Sequence, residues 1–536
     1  MATLARNGET SGRDPGLGMP RRDRMVIAAA SLGTVFEWYD FFVYGTLAAL
    51  IGRLYFPVGS ETAQFLLALA TFGIGFGVRP IGAALFGYLG DRLGRKYTFL
   101  VTITIMGLAT AGVGLVPTYG QIGIAAPLAL IVLRVLQGLA LGGEYGGAAI
   151  YVAENAPRNR RGYYTSFIQA SVGGGFLLSL LVVLSAEYLV PPEYWDGIGW
   201  RLPFLFSLLL LALSLFMRMR MEESPVFMKL KARQELCHNP LKESFTTPGN
   251  IRRILVALFG VSAGLTVIWY TAQFQTMYFL QNALRVDDTA VRIIVGLGAI
   301  LSLGWFILFG RLSDTYGRKP VMMIGYAATL VLIFPLFHVM AALANPAQAE
   351  AARRAPVLVS GPNCAYNPFA RAGQNSECAQ IIDHLSRKGI AYSKAITPGV
   401  ALVVGGRPIL DRSPEAIDRA LTEHGHSTET VVPSIRAAAG LVLVVVALGF
   451  LSAMTYGPAA AALVEMFPTR IRYSSLSIPY HIGSGYFGGF LPFISQYIVA
   501  RTGNPFSGVW YTFAVVALAL AVTIVGYRET AGRELD

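Results

Sequence analysis

The sequence predicts an all-α membrane protein of twelve transmembrane helices in two six-helix halves, with a small α/β extracytoplasmic insertion between helices 9 and 10. Three observations support this fold class. Of the 536 residues, 54% are hydrophobic and only 14% are charged, whereas soluble domains carry about 25% charged residues. Twelve apolar runs are long enough to cross a bilayer. A short charged motif that lies between two of these runs occurs twice, once in each half.

The duplicated motif is expected to form a turn at a membrane surface. Residues 87–96 read GYLGDRLGRK and residues 310–319 read GRLSDTYGRK, so that Gly, Leu, Asp, Gly, Arg and Lys recur at the same offsets. Charged residues at this density are costly in hydrocarbon, which places both copies between helices. Two copies in two halves predict a duplicated helical bundle, and secondary transporters often have this architecture.

The spans follow from a requirement of about 20 apolar residues per helix. In the N-terminal half, residues 25–218, they are 25–51, 62–87, 97–117, 122–147, 163–188 and 201–218. In the C-terminal half, residues 253–343 and 437–527, they are 253–280, 289–311, 320–343, 437–463, 473–499 and 506–527. We expect residues 1–24 to be disordered, residues 219–252 to link the halves, and residues 528–536 to form a tail.

The distribution of cations predicts the orientation. Arg and Lys cluster in the loops on one side of the predicted bundle, for example at Arg158, Arg160 and Arg161. By the positive-inside rule this side is cytoplasmic, together with both termini, in a bacterial-type inner membrane. The net charge of +12 is therefore attributed to membrane topology, and no nucleic-acid partner is expected.

Residues 344–436 interrupt the second half. Asp91 and Glu154 are 63 positions apart, whereas their counterparts Asp314 and Glu465 are 151 apart, which leaves about 88 additional residues. The insertion is too polar to span and lies on the exported side. Residues 356–360 and 400–404 predict strands, and residues 377–388 and 414–423 predict helices.

Cysteine placement suggests one disulfide. Cys364 and Cys378 both fall in the exported insertion, where an oxidising compartment favours a bridge between them. The alternative is two unrelated free thiols. Cys237 lies in the cytoplasmic link and is expected to be unpaired.

Ionisable residues inside predicted spans are the first candidates for chemistry, because their burial is costly. Glu37 and Asp40 lie one helical turn apart in the first span, Arg79 in the second, and Arg134 in the fourth. We expect the acids to carry protons and the arginines to bind an anionic group. The alternative is a salt-bridge cluster that only fixes helix packing. Further candidate substrate-binding residues are Gln137, Tyr145, Gln273, Tyr480 and His481.

A second set of residues is expected to control the contact between the halves. These candidate gating residues are Gly87, Asp91, Arg95, Glu144, Glu154, Asp314, Arg318 and Glu465. Their ion pairs would break and re-form as the halves rock against each other. The alternative is that the charges only orient the loops.

The motif G-x-L-x-D-x-x-G-R-K resembles the signature loop of the major facilitator superfamily. Further blocks resemble its metabolite:proton symporter branch: EWYDFF at 37–42, RPIG at 79–82, GGEYGG at 142–147, ESPVF at 223–227, YGP at 456–458 and EMFPTR at 465–470. The resemblance implies transport of organic acids, such as 2-oxoglutarate, citrate and shikimate, or of zwitterionic osmolytes, such as proline and betaine, with protons. The 344–436 insertion departs from the compact members of this branch.

These observations predict a symporter rather than an enzyme. It would import a small carboxylate-bearing metabolite with protons by alternating access, act in the lipid bilayer as a monomer, and need no cofactor or metal. Arg134 and Arg79 would hold the carboxylate, and Glu37 or Asp40 would carry the proton. An exporter or uniporter on the same fold is one alternative. A nutrient sensor whose exported domain binds the ligand is the other.

Overall fold

A computed structural model describes residues 21–57, 60–93, 95–143, 145–219, 240–370, 374–427 and 429–535. Within these ranges the chain forms a bundle of long helices and one four-stranded sheet. Helix Arg161–Leu189 packs against Arg21–Thr46 and against Asp288–Tyr316, so it joins the two halves of the bundle. Residues 1–20 of the predicted disordered segment and most of the link between the halves lie outside the described residues. Residues 21–24, which were also predicted to be disordered, instead begin the first helix.

The first half is almost entirely helical. Its helices are Arg21–Thr46, Ala48–Tyr55, Glu61–Gly77, Arg79–Leu93, Arg95–Leu115, Tyr119–Ile122, Ala125–Gly142, Tyr145–Asn155, Arg161–Leu189, Pro192–Tyr194 and Arg201–Met219, with a 3₁₀ turn at Arg158–Arg160 and a π turn at Trp195–Gly199. The second predicted span is interrupted at Val78, two residues before Pro80, which lacks the N–H that a continuous helix requires. Ser60 caps the start of this span by accepting a hydrogen bond from the Ala63 amide.

The second half has long helices with several irregular turns. They are Pro240–Thr246, the continuous run Asn250–Ala283, Asp288–Tyr316, Arg318–Ala344, Ile435–Tyr456, Ala459–Met466, Arg472–Ile482, Leu491–Thr502 and Val509–Gly526. The run Asn250–Ala283 contains three π-helical turns, at Val256–Ser262, Thr271–Gln275 and Phe279–Ala283. A fourth is Gly483–Gly489. Such turns often occur at functional sites in membrane helices.

Nine helices in the described part of the chain are long and apolar enough to cross a membrane, or ten if the bent pair Pro192–Gly199 and Arg201–Met217 forms one span. Helices also lie over the predicted spans 25–51 and 473–499, at Arg21–Thr46 and at Arg472–Ile482 with Leu491–Thr502. The count of twelve spans stays a prediction.

Along the chain, the strands of the sheet fall between helices Arg318–Ala344 and Ile435–Tyr456. Its strands are β1 (Val357–Gly361), β2 (Tyr392–Ile396), β3 (Ala401–Val404) and β4 (Arg407–Ile409), in the order β2-β1-β3-β4. Strands β1 and β2 are parallel and the other pairs antiparallel. The surrounding helices are Pro346–Arg354, Glu377–Arg387 and Pro414–Glu423.

The two predicted strands and two predicted helices of the insertion match β1, β3, Glu377–Arg387 and Pro414–Glu423 closely. Periodicity did not identify β2, β4 or Pro346–Arg354. The structure joins Cys364 to Cys378 in a disulfide, which ties the loop after β1 to helix Glu377–Arg387.

Candidate functional site

Two arginine side chains are fully buried in the first half of the bundle. Arg134 and Arg79 are 0% and 1% exposed. Arg134 donates hydrogen bonds to Gln137 Oε1 at 2.7 Å and to the Phe72 carbonyl at 3.4 Å. Gln137 is held in turn by the Thr110 hydroxyl, at 2.7 Å from its Nε2. Among the described residues, no carboxylate pairs with Arg79 or Arg134, and Arg134 Nε and two Arg79 nitrogens have no hydrogen-bond partner.

Aromatic rings surround both guanidinium groups. The Arg79 guanidinium carbon lies 3.8 Å from the ring centroid of Phe76 and 4.5 Å from that of Phe41. The Arg134 carbon lies 4.0 Å from the Phe41 centroid and 4.6 Å from that of Tyr44. Cation–π contact offsets part of the cost of burying each charge. It leaves the N–H donors available, and a planar guanidinium with free donors suits a carboxylate.

Glycines bring the two arginines to the same region. A Cβ on Gly138 would lie 1.9 Å from the Gly75 carbonyl, and one on Gly142 would lie 2.2 Å from the Arg79 carbonyl. Helix Ala125–Gly142 therefore meets its neighbours backbone to backbone, as small residues allow in membrane bundles. This close approach places Arg134 and Arg79 around the shared Phe41 ring.

The second half supplies polar groups to the same region. Tyr270, Tyr456 and Tyr480 are buried in the second half, and the Tyr270 ring packs against the Phe76 ring, which also contacts Arg79. The hydroxyls of Tyr456 and Tyr480 are 3.4 Å apart. The Tyr270 hydroxyl and both ring nitrogens of His481 are buried without a hydrogen-bond partner of standard geometry among the described residues. Donors and acceptors from the second half thus face the arginines of the first.

Gln273 is also buried in the second half, at 4% exposure. Its Oε1 has no hydrogen-bond partner within the described ranges. It lies in the π-helical turn Thr271–Gln275, which follows Tyr270 directly.

The two predicted proton carriers are both buried, Glu37 at 6% and Asp40 at 5% exposure. Asp40 lies beside the Ser207 hydroxyl, and its Oδ1 has no hydrogen-bond partner in the described part of the chain. Asp40 does not pair with Arg134, which contacts Gln137 instead. Asp40 thus forms no ion pair within the described ranges, and the burial of an unpaired charge is costly.

A network of buried ion pairs connects the halves at one end of the bundle. We call this network, formed by Glu154, Arg161, Asp314, Arg318, Glu465 and Arg472, the ion-pair end. Arg318 bonds to Glu465 at 3.1 Å and to Asp314 at 2.7 Å. Asp314 also accepts hydrogen bonds from the backbone amides of Gly162 and Tyr163, both at 2.8 Å.

Two further ion pairs at this end cross between the halves. Arg472 bonds to Glu154 at 2.7 Å, and Arg161 lies 3.8 Å from Glu465. Four of the predicted gating residues, Glu154, Asp314, Arg318 and Glu465, thus meet at one seam.

Comparison with known proteins finds transporters. Residues 25–256 match the family described as "Sugar (and other) transporter". The chain is 29% identical over 518 residues to the inner membrane metabolite transport protein YhjE of Escherichia coli K12, covering 94% of each chain. The chain is a transporter that is similar to this relative along nearly its whole length. The proline/betaine transporter of the same organism is 36% identical over 323 residues, which cover 59% of this chain and 64% of the relative.

Solved structures show the same fold. The proton:xylose symporter XylE, bound to 6-bromo-6-deoxy-D-glucose, aligns with a TM-score of 0.62 at 18% identity over 96% of this chain and 97% of its own. The relatives named above are transporters and not enzymes.

The transporter also has a cavity of about 470 Å³ at the end opposite the ion-pair end. Its lining includes Arg53 and Phe65 from the first half, Arg285 from the second, and Arg387 and Tyr392 from the inserted segment. None of the residues predicted to bind substrate lines this cavity. Sequence reasoning missed it, because no motif marks the junction of three distant segments.

Some predicted site residues lie outside the described part of the transporter. Glu144 is not described, and nothing is described of the side chains of Asp91, Arg95 and Tyr145. The same holds for the surroundings of Gly87. Cys237 falls in the undescribed range 220–239.

Proposed function

We propose that the transporter is a proton-coupled symporter that imports a small carboxylate-bearing metabolite by alternating access. The observation that carries this proposal is the pair of fully buried arginines whose guanidinium groups meet no carboxylate among the described residues. A buried charge is costly unless it is paired. A substrate carboxylate supplies the missing charge.

The carboxylate binds between the arginines of the first half and the polar groups of the second. Arg134 and Arg79 donate hydrogen bonds to it, while Gln137 fixes the position of Arg134. Tyr480, His481 and Gln273 contact the rest of the substrate from the opposite side, and Tyr145 is a further proposed substrate-binding residue. Contacts from both halves let the substrate stabilise the closed state, as alternating access requires.

The proton binds at Asp40 or Glu37. The neutral acid is favoured while the site is sealed from water, and water that reaches the site favours proton release. Both acids lie on the helix that carries Phe41, the ring that contacts both arginines. Substrate and proton sites are therefore mechanically linked through one helix.

The remaining topology belongs to the same proposal. Twelve spans form halves at 25–218 and at 253–343 with 437–527, in a bacterial inner membrane with both termini cytoplasmic. The ion-pair end is cytoplasmic, and residues 344–436 are extracytoplasmic. Asp91, Arg95, Glu144 and Gly87 act with the described ion pairs as gating residues.

The test is uptake by proteoliposomes under an inward proton gradient. Labelled 2-oxoglutarate, citrate and shikimate form one arm of the panel, and proline and betaine form the other. We expect Arg134→Gln and Arg79→Gln to abolish binding of the transported compound, and Arg134→Lys to weaken it, since a lysine lacks the planar fork. The exposed Arg252→Gln is the matched control and should bind normally.

Unchanged affinity in folded Arg134→Gln and Arg79→Gln proteins would overturn the carboxylate site. Uptake that does not depend on the proton gradient would show that the protein is a uniporter rather than a symporter. Transport of only proline or betaine would show that the substrate is a zwitterion, whose carboxylate binds to the same arginines.

A further inference from the structure

The inserted segment, residues 346–434, contacts both halves of the bundle at the end opposite the ion-pair end. Its apolar core is formed by side chains of the sheet and of helices Glu377–Arg387 and Pro414–Glu423. Leu66 of the first half and Ala500 of the second half belong to the same buried cluster. The inserted segment thus completes its core with residues from both halves.

Its attachment to the second half is extensive and includes backbone contacts. The Tyr392 amide donates to the Gly503 carbonyl at 3.1 Å, and Arg501 donates to the Tyr366 carbonyl at 2.6 Å. The Lys394 ammonium reaches the Arg501 carbonyl. Gly503 has φ +76° and no side chain, and a Cβ there would lie 2.4 Å from the Tyr392 ring. This fit holds the segment against the second half.

A second backbone junction strengthens the same attachment. The Val431 amide donates to the Arg285 carbonyl at 2.8 Å, and the Asp287 amide donates to the Val431 carbonyl at 2.9 Å. The chain that returns from the inserted segment is therefore paired with the loop that precedes helix Asp288–Tyr316.

Its attachment to the first half is much smaller. Leu66 is fully buried against the inserted segment. The Ser60 hydroxyl donates to the Pro368 carbonyl at 3.4 Å. Pro368 lies in the loop that the Cys364–Cys378 disulfide closes. We call this contact, formed by Ser60, Leu66 and Pro368, the outer patch.

We propose that residues 346–434 form a lid, which the second half carries and which closes the outer mouth of the transport path through the outer patch. This inference rests on the alternating-access function proposed above. The cavity lined by Arg53, Arg285 and Tyr392 lies beneath the lid, between the two halves. Outward opening separates the outer patch and leaves the backbone junctions with the second half intact, because few contacts hold the former and many hold the latter.

Cross-linking tests the lid directly. In a Cys237→Ser background, Ser60→Cys with Pro368→Cys locks the outer patch with a short bis-maleimide, while the native disulfide stays closed. Lys394→Cys with Arg501→Cys, locked in the same way, is the matched control on the second half. We expect the first cross-link to reduce uptake to the level of protein-free liposomes, and the control cross-link to leave uptake unchanged.

Each result has a defined meaning. Full uptake with the outer patch locked overturns the lid. Loss of uptake in both cross-linked proteins overturns the claim that the second half carries it. If the double-cysteine proteins without cross-linker take up none of the panel compounds, the proposed function fails and the lid is decided by distance measurement alone.

That measurement uses spin labels and needs no substrate. Arg53→Cys paired with Arg387→Cys spans the outer patch, and Arg387→Cys paired with Asn504→Cys stays on the second half. Across acidic and alkaline pH, with and without the panel compounds, we expect two distance populations for the first pair and one for the second. A single short distance for the first pair under every condition would overturn the lid.

Discussion

At the scale of single residues, three buried arginines illustrate two different uses of the same side chain. Arg318 is 0% exposed and is neutralised by Asp314 and Glu465. Arg79 and Arg134 are buried to the same degree but contact aromatic rings and an amide. Internal pairing makes the first a structural element, and we propose that it also takes part in gating. The lack of an internal carboxylate partner within the described residues leaves the other two for a ligand.

The buried acids of the first helix give a prediction about coupling. We expect Glu37→Gln or Asp40→Asn to abolish accumulation of substrate driven by a pH gradient, because an amide cannot bind and release the proton. Exchange of labelled for unlabelled substrate should persist, since exchange needs only the substrate site and the conformational change. Both quantities are measured in the same proteoliposome preparation.

Thr46→Val is a suitable control, because Thr46 is buried on the same helix as both acids, contacts Phe42 and Ser179, and does not titrate. It should retain gradient-driven accumulation. The assignment is wrong if Glu37→Gln and Asp40→Asn both concentrate substrate as well as the unaltered protein does.

At the scale of elements, the contact between helices Glu61–Gly77 and Ala125–Gly142 depends on a glycine. The Cβ of Gly138→Ala would meet the Gly75 carbonyl at 1.9 Å, so the two helices must separate. Overpacking of this kind costs about 1–3 kcal/mol. We expect a lower melting temperature and, because Arg134 moves with its helix, weaker substrate binding.

Gly304→Ala is the matched control. Gly304 also lies inside a helix, Asp288–Tyr316, but its Cβ would meet nothing within 4 Å. Alanine there should stabilise the protein by up to about 1 kcal/mol, because it restricts the unfolded chain. Equal melting temperatures for the two variants, measured by thermal unfolding in detergent, would contradict the backbone-to-backbone packing.

At the scale of the whole molecule, local patterns were sufficient for some features and not for others. Apolar run length placed Asp288–Tyr316 and Arg318–Ala344 within a few residues. It did not reveal the π-helical turns of Asn250–Ala283, since those depend on packing in three dimensions. The duplicated motif identified Asp314 and Arg318. It gave no indication that Asp314 would accept hydrogen bonds from the amides of the opposite half.

The candidate site, too, could be predicted from the sequence only in part. The energetic cost of burying a charge in a membrane span indicated Arg79, Arg134, Glu37 and Asp40 as individual candidates. Their partners were not accessible to sequence reasoning, because contacts such as Arg134 with Gln137 depend on side-chain conformation. The cavity could not be predicted either, since its lining comes from segments that are spread along the chain from Ala49 to Pro505.

The two ends of the molecule are held by different forces, and this difference gives a prediction for the whole bundle. Buried charges hold the ion-pair end, where Glu465 bonds to Arg318 and lies near Arg161. Removing one member of a buried ion pair costs about 3–5 kcal/mol, because the other charge stays buried without a partner. Glu465→Gln therefore weakens the closed state of this end and favours its opening.

Opening is measured by the labelling of a cysteine in the seam. Ser166 is fully buried against Gly310 of the opposite half. The packing is so close that a Cβ atom added to Gly310 would lie 2.5 Å from the Ser166 Cβ. Ser166→Cys should react slowly with a water-soluble maleimide, and addition of Glu465→Gln should raise the rate by at least about tenfold, the change that 1.4 kcal/mol produces. Glu350→Gln removes only the exposed pairs with Arg353 and Arg354 and should leave the rate unchanged. An unaltered labelling rate in folded Glu465→Gln protein would show that the seam is closed by packing rather than by charge.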